Sequence, residues 1–101
     1  MPKGYWIALV DVTDAEAYAK YRALNGAAFA KYGARFLVRA GTHVVAHGAA
    51  KPRPVVIEFP DYAAALACHE SEEYKRAAKF RDQGADVDLV IVEGYEGEQP
   101  A

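Results

Sequence analysis

Tyr5-Trp6-Ile7-Ala8-Leu9-Val10 is apolar at every position, and so is Leu89-Val90-Ile91-Val92 at the far end of the 101-residue chain. Successive residues of a strand point to opposite faces, so a sheet with one wet face alternates apolar and polar. These two strands show no such alternation. Both of their faces need a cover. The helical stretches between them can cover one face. Little of the chain is left for the other, and a second copy of the protein is the expected cover.

Working outward, the first strand spans about 5–12. Thr13, followed by Glu16, predicts a capping box opening a helix over 14–32. Ala17, Tyr18, Tyr21, Leu24, Ala28 and Tyr32 share one face of a 3.6-residue period. Gly33 fits a left-handed C-terminal cap. A second strand is expected over 35–40, with Gly41 as a bend or bulge and 43–45 as a candidate continuation. Residues 47–54 contain Pro52 and Pro54 and read as a turn or loop. The third strand covers 55–59, Pro60 stops it, and Asp61 is placed to cap the next helix. That helical region breaks in two, 62–68 and then a fresh start at Ser71, with Glu72 and Glu73 where the helix dipole favours them. Gly84 ends the second piece, a fourth strand covers 87–93, and 94–101 is a short tail.

The order is therefore βαββαβ, one domain over residues 1–101. Two right-handed crossovers around a central hairpin predict the ferredoxin-like member of the α+β class. Its four-stranded antiparallel sheet carries the helices on one face. The opposite face would be greasy. Leaving about 500 Å² of it wet forgoes on the order of 12 kcal/mol of gross burial per subunit. Association and ordering costs consume much of that, but an exposed patch of this size is rare on a monomer. A homodimer through the open sheet face, an α+β barrel, is expected.

Composition narrows the function classes. Apolar residues make up 52% and charged residues 26% of the chain, which is ordinary for a folded domain. The formal net charge is −2 with no basic stripe, so nucleic acid is not an expected partner. The apolar runs are far shorter than the ~20 residues that span a bilayer, so no membrane is expected. No signal-peptide pattern precedes the first strand, and the cytoplasm is the default location. The single cysteine, Cys68, excludes an intrachain disulfide and is expected to pack as a small buried hydrophobe.

A resemblance rests on several stretches: Gly4-Tyr5-Trp6; Tyr32-Gly33-Ala34-Arg35-Phe36-Leu37-Val38-Arg39-Ala40-Gly41; Val56-Ile57-Glu58-Phe59-Pro60; Ser71-Glu72-Glu73-Tyr74; and Asp88-Leu89-Val90-Ile91-Val92-Glu93-Gly94-Tyr95. Together they resemble small bacterial proteins of a domain-of-unknown-function family within the dimeric α+β-barrel superfamily. The resemblance covers almost the whole chain. It implies two ferredoxin-like subunits packed sheet to sheet into a shared barrel. The family has no settled activity. The wider superfamily includes cofactor-free monooxygenases, lactone isomerases, dehalogenating and haem-using enzymes, and ligand-sensing domains. A shared fold does not choose among these.

Among residues that can carry chemistry, Arg39 and Glu58 lie on hairpin-neighbour strands and are expected to face each other across the ladder. Arg39 would then hold a carboxylate or enolate, with Glu58 as base or orienter; the alternative is a structural ion pair that fixes register. Asn25 lies beside the aromatic stripe and can meet a ligand between helix and sheet, or bond backbone. Tyr21 is a candidate ligand contact as well as a core tyrosine. Arg81 can reach into the same space, or pair with Asp86 or Asp88. Ser71 reads as a helix cap rather than a nucleophile. Nothing in the spacing brings His69 to His43 and His47, so no metal site is expected. No phosphate-binding glycine loop is present, and no cofactor is expected.

The expected function is a homodimeric protein binding a small polar or aromatic organic acid or ketone between sheet and helices. Cofactor-free monooxygenase-like or isomerase-like chemistry is one form of it. A non-catalytic binding or sensing module is the alternative.

Overall fold

The computed structural model describes residues 2–100. In chain order the elements are β1 (Gly4–Val12), α1 (Ala15–Lys31), β2 (Arg35–Arg39), β3 (Arg53–Phe59), α2 (Tyr62–Glu70), α3 (Glu72–Gly84) and β4 (Ala85–Glu93). The strands form one antiparallel sheet in the order β2-β3-β1-β4. This is the ferredoxin-like arrangement, with the broken helix pair α2–α3 in the second crossover.

The apolar runs resolve into two faces. Trp6 and Val10 of β1 and Ile57 and Phe59 of β3 are buried. They face the helices, in a core completed by Tyr21, Ala28, Phe29, Ala65, Cys68, Tyr74 and Ala77. Trp6 is the hub. Its ring meets Phe29, Phe59, His69 and Tyr74, and its Nε1 donates to the Ala65 carbonyl at 2.9 Å, tying α2 to β1. The intervening residues point the other way. Ile7 is 44% exposed, Val90 57% and Val92 38%, and Ile7 stands opposite both Val56 and Val90 in the ladder. The open face is apolar, as the strand composition requires.

Local signals set most boundaries. The Asp61 carboxylate accepts the Ala64 amide at 2.8 Å and starts α2. Ser71 breaks the helix: its hydroxyl donates to the Cys68 carbonyl and accepts the Tyr74 amide. Gly33 closes α1 at φ +71°. There the Ala34 amide donates to Phe29 and the Gly33 amide to Ala30, the paired bonds of a Schellman cap.

Several boundaries differ from expectation; β4 starts at Ala85 rather than 87 and α2 runs on to Glu70 rather than 68. Asp14, not Thr13, caps α1, its carboxylate accepting the amides of Glu16 and Ala17. The cause is tertiary: the backbone amides of both Thr13 and Asp14 donate to the Gly84 carbonyl, which holds Thr13 outside the helix. Gly84 can come this close because it lacks a Cβ, which would sit 2.5 Å from the Tyr18 nitrogen. Next, the bulge in β2 falls at Leu37, between the pairs Phe36–Ile57 and Val38–Val56, rather than at Gly41. The strand then ends as Ala40 turns left-handed (φ 53°) and donates its amide to the Pro54 carbonyl. Residues 43–45 therefore lie in the connecting loop, not in a strand. Finally, β3 begins two residues early, at Arg53, with Pro54 inside its ladder opposite Leu9.

Candidate functional site

The sheet register builds a cleft under the helices. On the helix-facing side, one row across the sheet reads Arg39, Val55, Ala8, Leu89. The next row reads Arg53, Val10, Val87. Ala8 is the smallest side chain of that floor, and it stands between the bulkier Trp6 and Val10. Space opens above it. Tyr18, Tyr21, Arg22, Asn25 and Phe29 of α1 and Tyr74 and Arg81 of α3 close the roof. The cleft holds about 610 Å³ of non-atom space, counted out to its open mouth.

Its chemistry is lopsided. Four arginines (Arg22, Arg39, Arg53 and Arg81) line it, and no aspartate, glutamate or histidine does. Apart from Asn25, the rest is aromatic or aliphatic. Arg39 lies over the Phe36 ring at 4.2 Å and Arg53 over Tyr18 at 5.9 Å, so both guanidinium groups rest on aromatic faces. Among the described residues, the ion pairs of the chain include Arg81 with Asp82 but none with Arg22, Arg39 or Arg53. The Nε of Arg53 is buried without a hydrogen-bond partner. A buried donor left unpaired costs free energy, which an acceptor arriving in the cleft can recover.

A second polar group sits at the α3 side. The hydroxyls of Tyr21 and Tyr74 lie 2.9 Å apart. Arg81 Nη1 donates to Tyr74 at 3.1 Å, while its Nε and Nη2 grip Asp82. Burial, followed by the Tyr74 neighbour, raises the Tyr21 pKa well above the ordinary phenol range, and the Asn25 amide pulls slightly against this. Burial likewise raises Tyr74, against the opposing pull of Tyr21 and Arg81. Both phenols therefore stay protonated at neutral pH. They donate hydrogen bonds and do not serve as bases.

Of the residues singled out from the sequence, Asn25, Tyr21, Arg39 and Arg81 all line this cleft. Glu58 does not. The register sets Glu58 opposite Arg35 and Tyr5, whereas Arg39 stands opposite Val55. The extra residue Leu37 turns every later side chain of β2 to the other face. The expected Arg39–Glu58 pair is therefore replaced by contacts of Glu58 with Lys3 and Arg35, at 3.9 and 4.0 Å, on the far side of the sheet. Glu58 cannot act as base or orienter for anything Arg39 holds. Arg81 pairs with its neighbour Asp82 rather than with Asp86 or Asp88.

Arg22, Arg53 and Tyr74 are cleft residues the sequence reading left out. Arg53 had a signal: it extends the alternation Val55, Ile57, Phe59 by one step. Tyr74 had one too, seven residues from Arg81 and hence on the same helical face. Ser71 is consumed as a cap. His43 bonds the Gly41 carbonyl in the loop. Among the described residues no group of three or more His, Cys, Asp or Glu side chains is placed to hold a metal. Cys68 is fully buried, and burial pushes its thiol up to about 12. No described helix is long and apolar enough to cross a membrane.

The family described as a domain of unknown function (DUF1330) matches residues 3–95. No curated protein matches the chain. Among solved structures, the RPA0582 protein of unknown function from Rhodopseudomonas palustris is 20% identical, with 95% of this chain and 85% of that one covered and a TM-score of 0.77. SnoaB, a cofactor-independent oxygenase from Streptomyces nogalater, is 12% identical over 99% of this chain and 97% of that one, with a TM-score of 0.62. A dimeric protein of unknown function and ferredoxin-like fold from Bacteroides fragilis is 14% identical over 90% and 95%, with a TM-score of 0.58. At such identities the common property is the fold.

Proposed function

This chain belongs to the DUF1330 family of unknown function, and on that premise we propose that it is a homodimeric protein binding a small aromatic or polar organic anion in the cleft between sheet and helices. The anion is a carboxylate or the enolate of a ketone. The observation that carries this reading is the concentration of four arginines, three of them without a carboxylate partner among the described residues, in an aromatic cleft of a chain whose net charge is −2. Three of those arginines repel one another with no counter-charge of their own. An anion relieves that repulsion, forms charge-assisted hydrogen bonds, and offers the Arg53 Nε a partner. Arg39 and Arg53 hold the charge, Asn25 donates to the ligand, and the rings of Tyr18, Tyr21 and Phe29 pack on its body.

The same arginines stabilise an enolate, the species that cofactor-free oxygenation or isomerisation requires. The fold likeness to a cofactor-independent oxygenase supports that form of the reading. A specific observation favours the alternative, a binding or sensing module. No Asp, Glu or His lines the cleft and its buried tyrosines are held protonated, so the cleft contains no general base for neutral pH.

Support for the homodimer is the apolar open face of the sheet and the dimeric state of a structural neighbour.

Benzoate tests the anion reading. It is expected to raise the melting temperature and to bind measurably by calorimetry, with Arg39→Ala weakening it about tenfold, the loss typical of one charge-assisted hydrogen bond. Oxygen uptake or product formation from an enolisable aromatic ketone separates an enzyme from a binding module. An unchanged melting temperature across a panel of small organic acids would sink the anion assignment.

A further inference from the structure

The two polar clusters of the cleft differ in kind and lie at opposite ends of it. Arg39 projects from β2, the edge strand on one side. Arg81 lines the cleft together with Val87 and Leu89 of β4, the edge strand on the other. Three strand spacings, about 14 Å of backbone, separate β2 from β4. Between them the floor is Val55, Ala8 and Leu89, with no polar side chain. The Arg39–Arg53 end carries uncompensated positive charge. At the other end Asp82 neutralises Arg81 through two hydrogen bonds.

A proton inventory fixes what the second end can take. A guanidinium group only donates, so the Tyr74 oxygen accepts from Arg81. Tyr21 and Tyr74 share one hydrogen bond and so use one of their two hydroxyl protons. The other proton makes no hydrogen bond to a protein acceptor among the described residues. Both hydroxyls belong to side chains lining the cleft. That end therefore presents one free O–H donor beside the remaining N–H groups of an arginine whose charge Asp82 balances, and it fits a neutral acceptor oxygen.

Resting on the anion-binding reading above, we infer that the ligand is two-ended: a planar, largely apolar body with a carboxylate at the Arg39–Arg53 end and a carbonyl oxygen hydrogen-bonded by the Tyr21–Tyr74 pair at the other. A keto-substituted aromatic acid is the simplest member of this class. A dianion is disfavoured, because the tyrosine end offers no net charge. An amine is disfavoured at both ends, because no carboxylate lines the cleft and the nearby Asp82 is already held by Arg81.

The experiment compares three probes by calorimetry: 4-acetylbenzoate, its isostere 4-isopropylbenzoate, and acetophenone. The first two differ in the acceptor oxygen, which a methyl group on a tetrahedral carbon replaces, and the third lacks the anionic end. 4-Acetylbenzoate is expected to bind about 3- to 10-fold more tightly than 4-isopropylbenzoate, the span of one net hydrogen bond, and acetophenone most weakly. In Tyr21→Phe and, separately, Tyr74→Phe, the ratio of the first two affinities is expected to fall toward one in at least one variant. If 4-isopropylbenzoate binds as well as 4-acetylbenzoate, or if the preference survives both substitutions, the two-ended assignment is overturned while anion binding stands. If neither benzoate binds, both proposals fall together.

Discussion

The hydroxyl of Tyr74 receives Arg81 Nη1 at 3.1 Å and lies 2.9 Å from the hydroxyl of Tyr21, so one buried oxygen joins both ends of α3 to the middle of α1. Tyr74→Phe keeps the ring in its aromatic cluster but removes that oxygen. It leaves Arg81 Nη1 and Tyr21 short of a partner. A loss of about 1–3 kcal/mol in unfolding free energy is expected from denaturant titration. A neutral result would mean that water replaces the hydroxyl at no cost.

Arg53 carries the opposite expectation. Its Nε is buried without a partner, and among the described residues its charge has no salt bridge. Arg53→Met keeps the aliphatic stem out to the ε position while removing the guanidinium group, and with it the unpaired donor and the contact with the Tyr18 ring. The melting temperature is expected to hold or rise, while benzoate affinity falls at least about tenfold. Destabilisation without loss of affinity would make Arg53 a structural residue.

Two glycines offer a paired test of packing. A Cβ on Gly84 meets the backbone of Tyr18 at 2.5 Å, so Gly84→Ala forces α1 away from the α3–β4 junction. A cost of about 3 kcal/mol is expected. A Cβ on Gly26, inside α1, meets nothing within 4 Å. Gly26→Ala is expected to stabilise by about 0.5–1 kcal/mol, because alanine loses less backbone entropy in a helix. Thermal unfolding of the two variants should move in opposite directions.

The open sheet face sets the expectation for assembly. Ile7 and Val90 are ladder partners and stand exposed at 44% and 57%. Light scattering is expected to give about twice the 11.0 kDa chain mass. Val90→Asp places a charge within the apolar patch, beside Ile7, and should return the protein to the chain mass. A wild-type particle of the chain mass at micromolar concentration would remove the dimer.

Stability is expected to fall in alkali. Burial and then Glu73 raise the Cys68 thiol from 9.0 to about 12, and burial raises Tyr21 and Tyr74 from 10.0. Above about pH 9 the unfolded chain releases these protons while the folded chain retains them. Unfolding is then favoured, so the stabilisation is complete below pH 9 and is lost progressively toward pH 12. Melting temperatures measured from pH 8 to 11 should decline, and Cys68→Ala should flatten the early part of the slope. The same burial predicts that a thiol reagent at pH 8 labels Cys68 only after unfolding.

Much of this protein is determined within short stretches of its sequence. The apolar runs at 5–10 and 89–92 dictate a sheet buried on one face and greasy on the other. Asp61, Ser71 and Gly33 each satisfy backbone groups of their own helix end, so their roles need no knowledge of the rest of the chain. Asn25, Tyr21 and Arg81 reach the cleft because helical period alone sets their faces. The position of charges along β2 and β3 was decided only in three dimensions. Without the bulge at Leu37, Arg39 would share a face with Glu58; with it, Arg39 joins Arg53 beneath the helices. The start of α1 moved from Thr13 to Asp14 for a similar reason, since the Gly84 carbonyl that holds Thr13 lies on a distant part of the chain. Strand phase and cap choice in these places are set by hydrogen bonds between segments far apart in sequence, and a single inserted residue reverses which side of the sheet a guanidinium occupies.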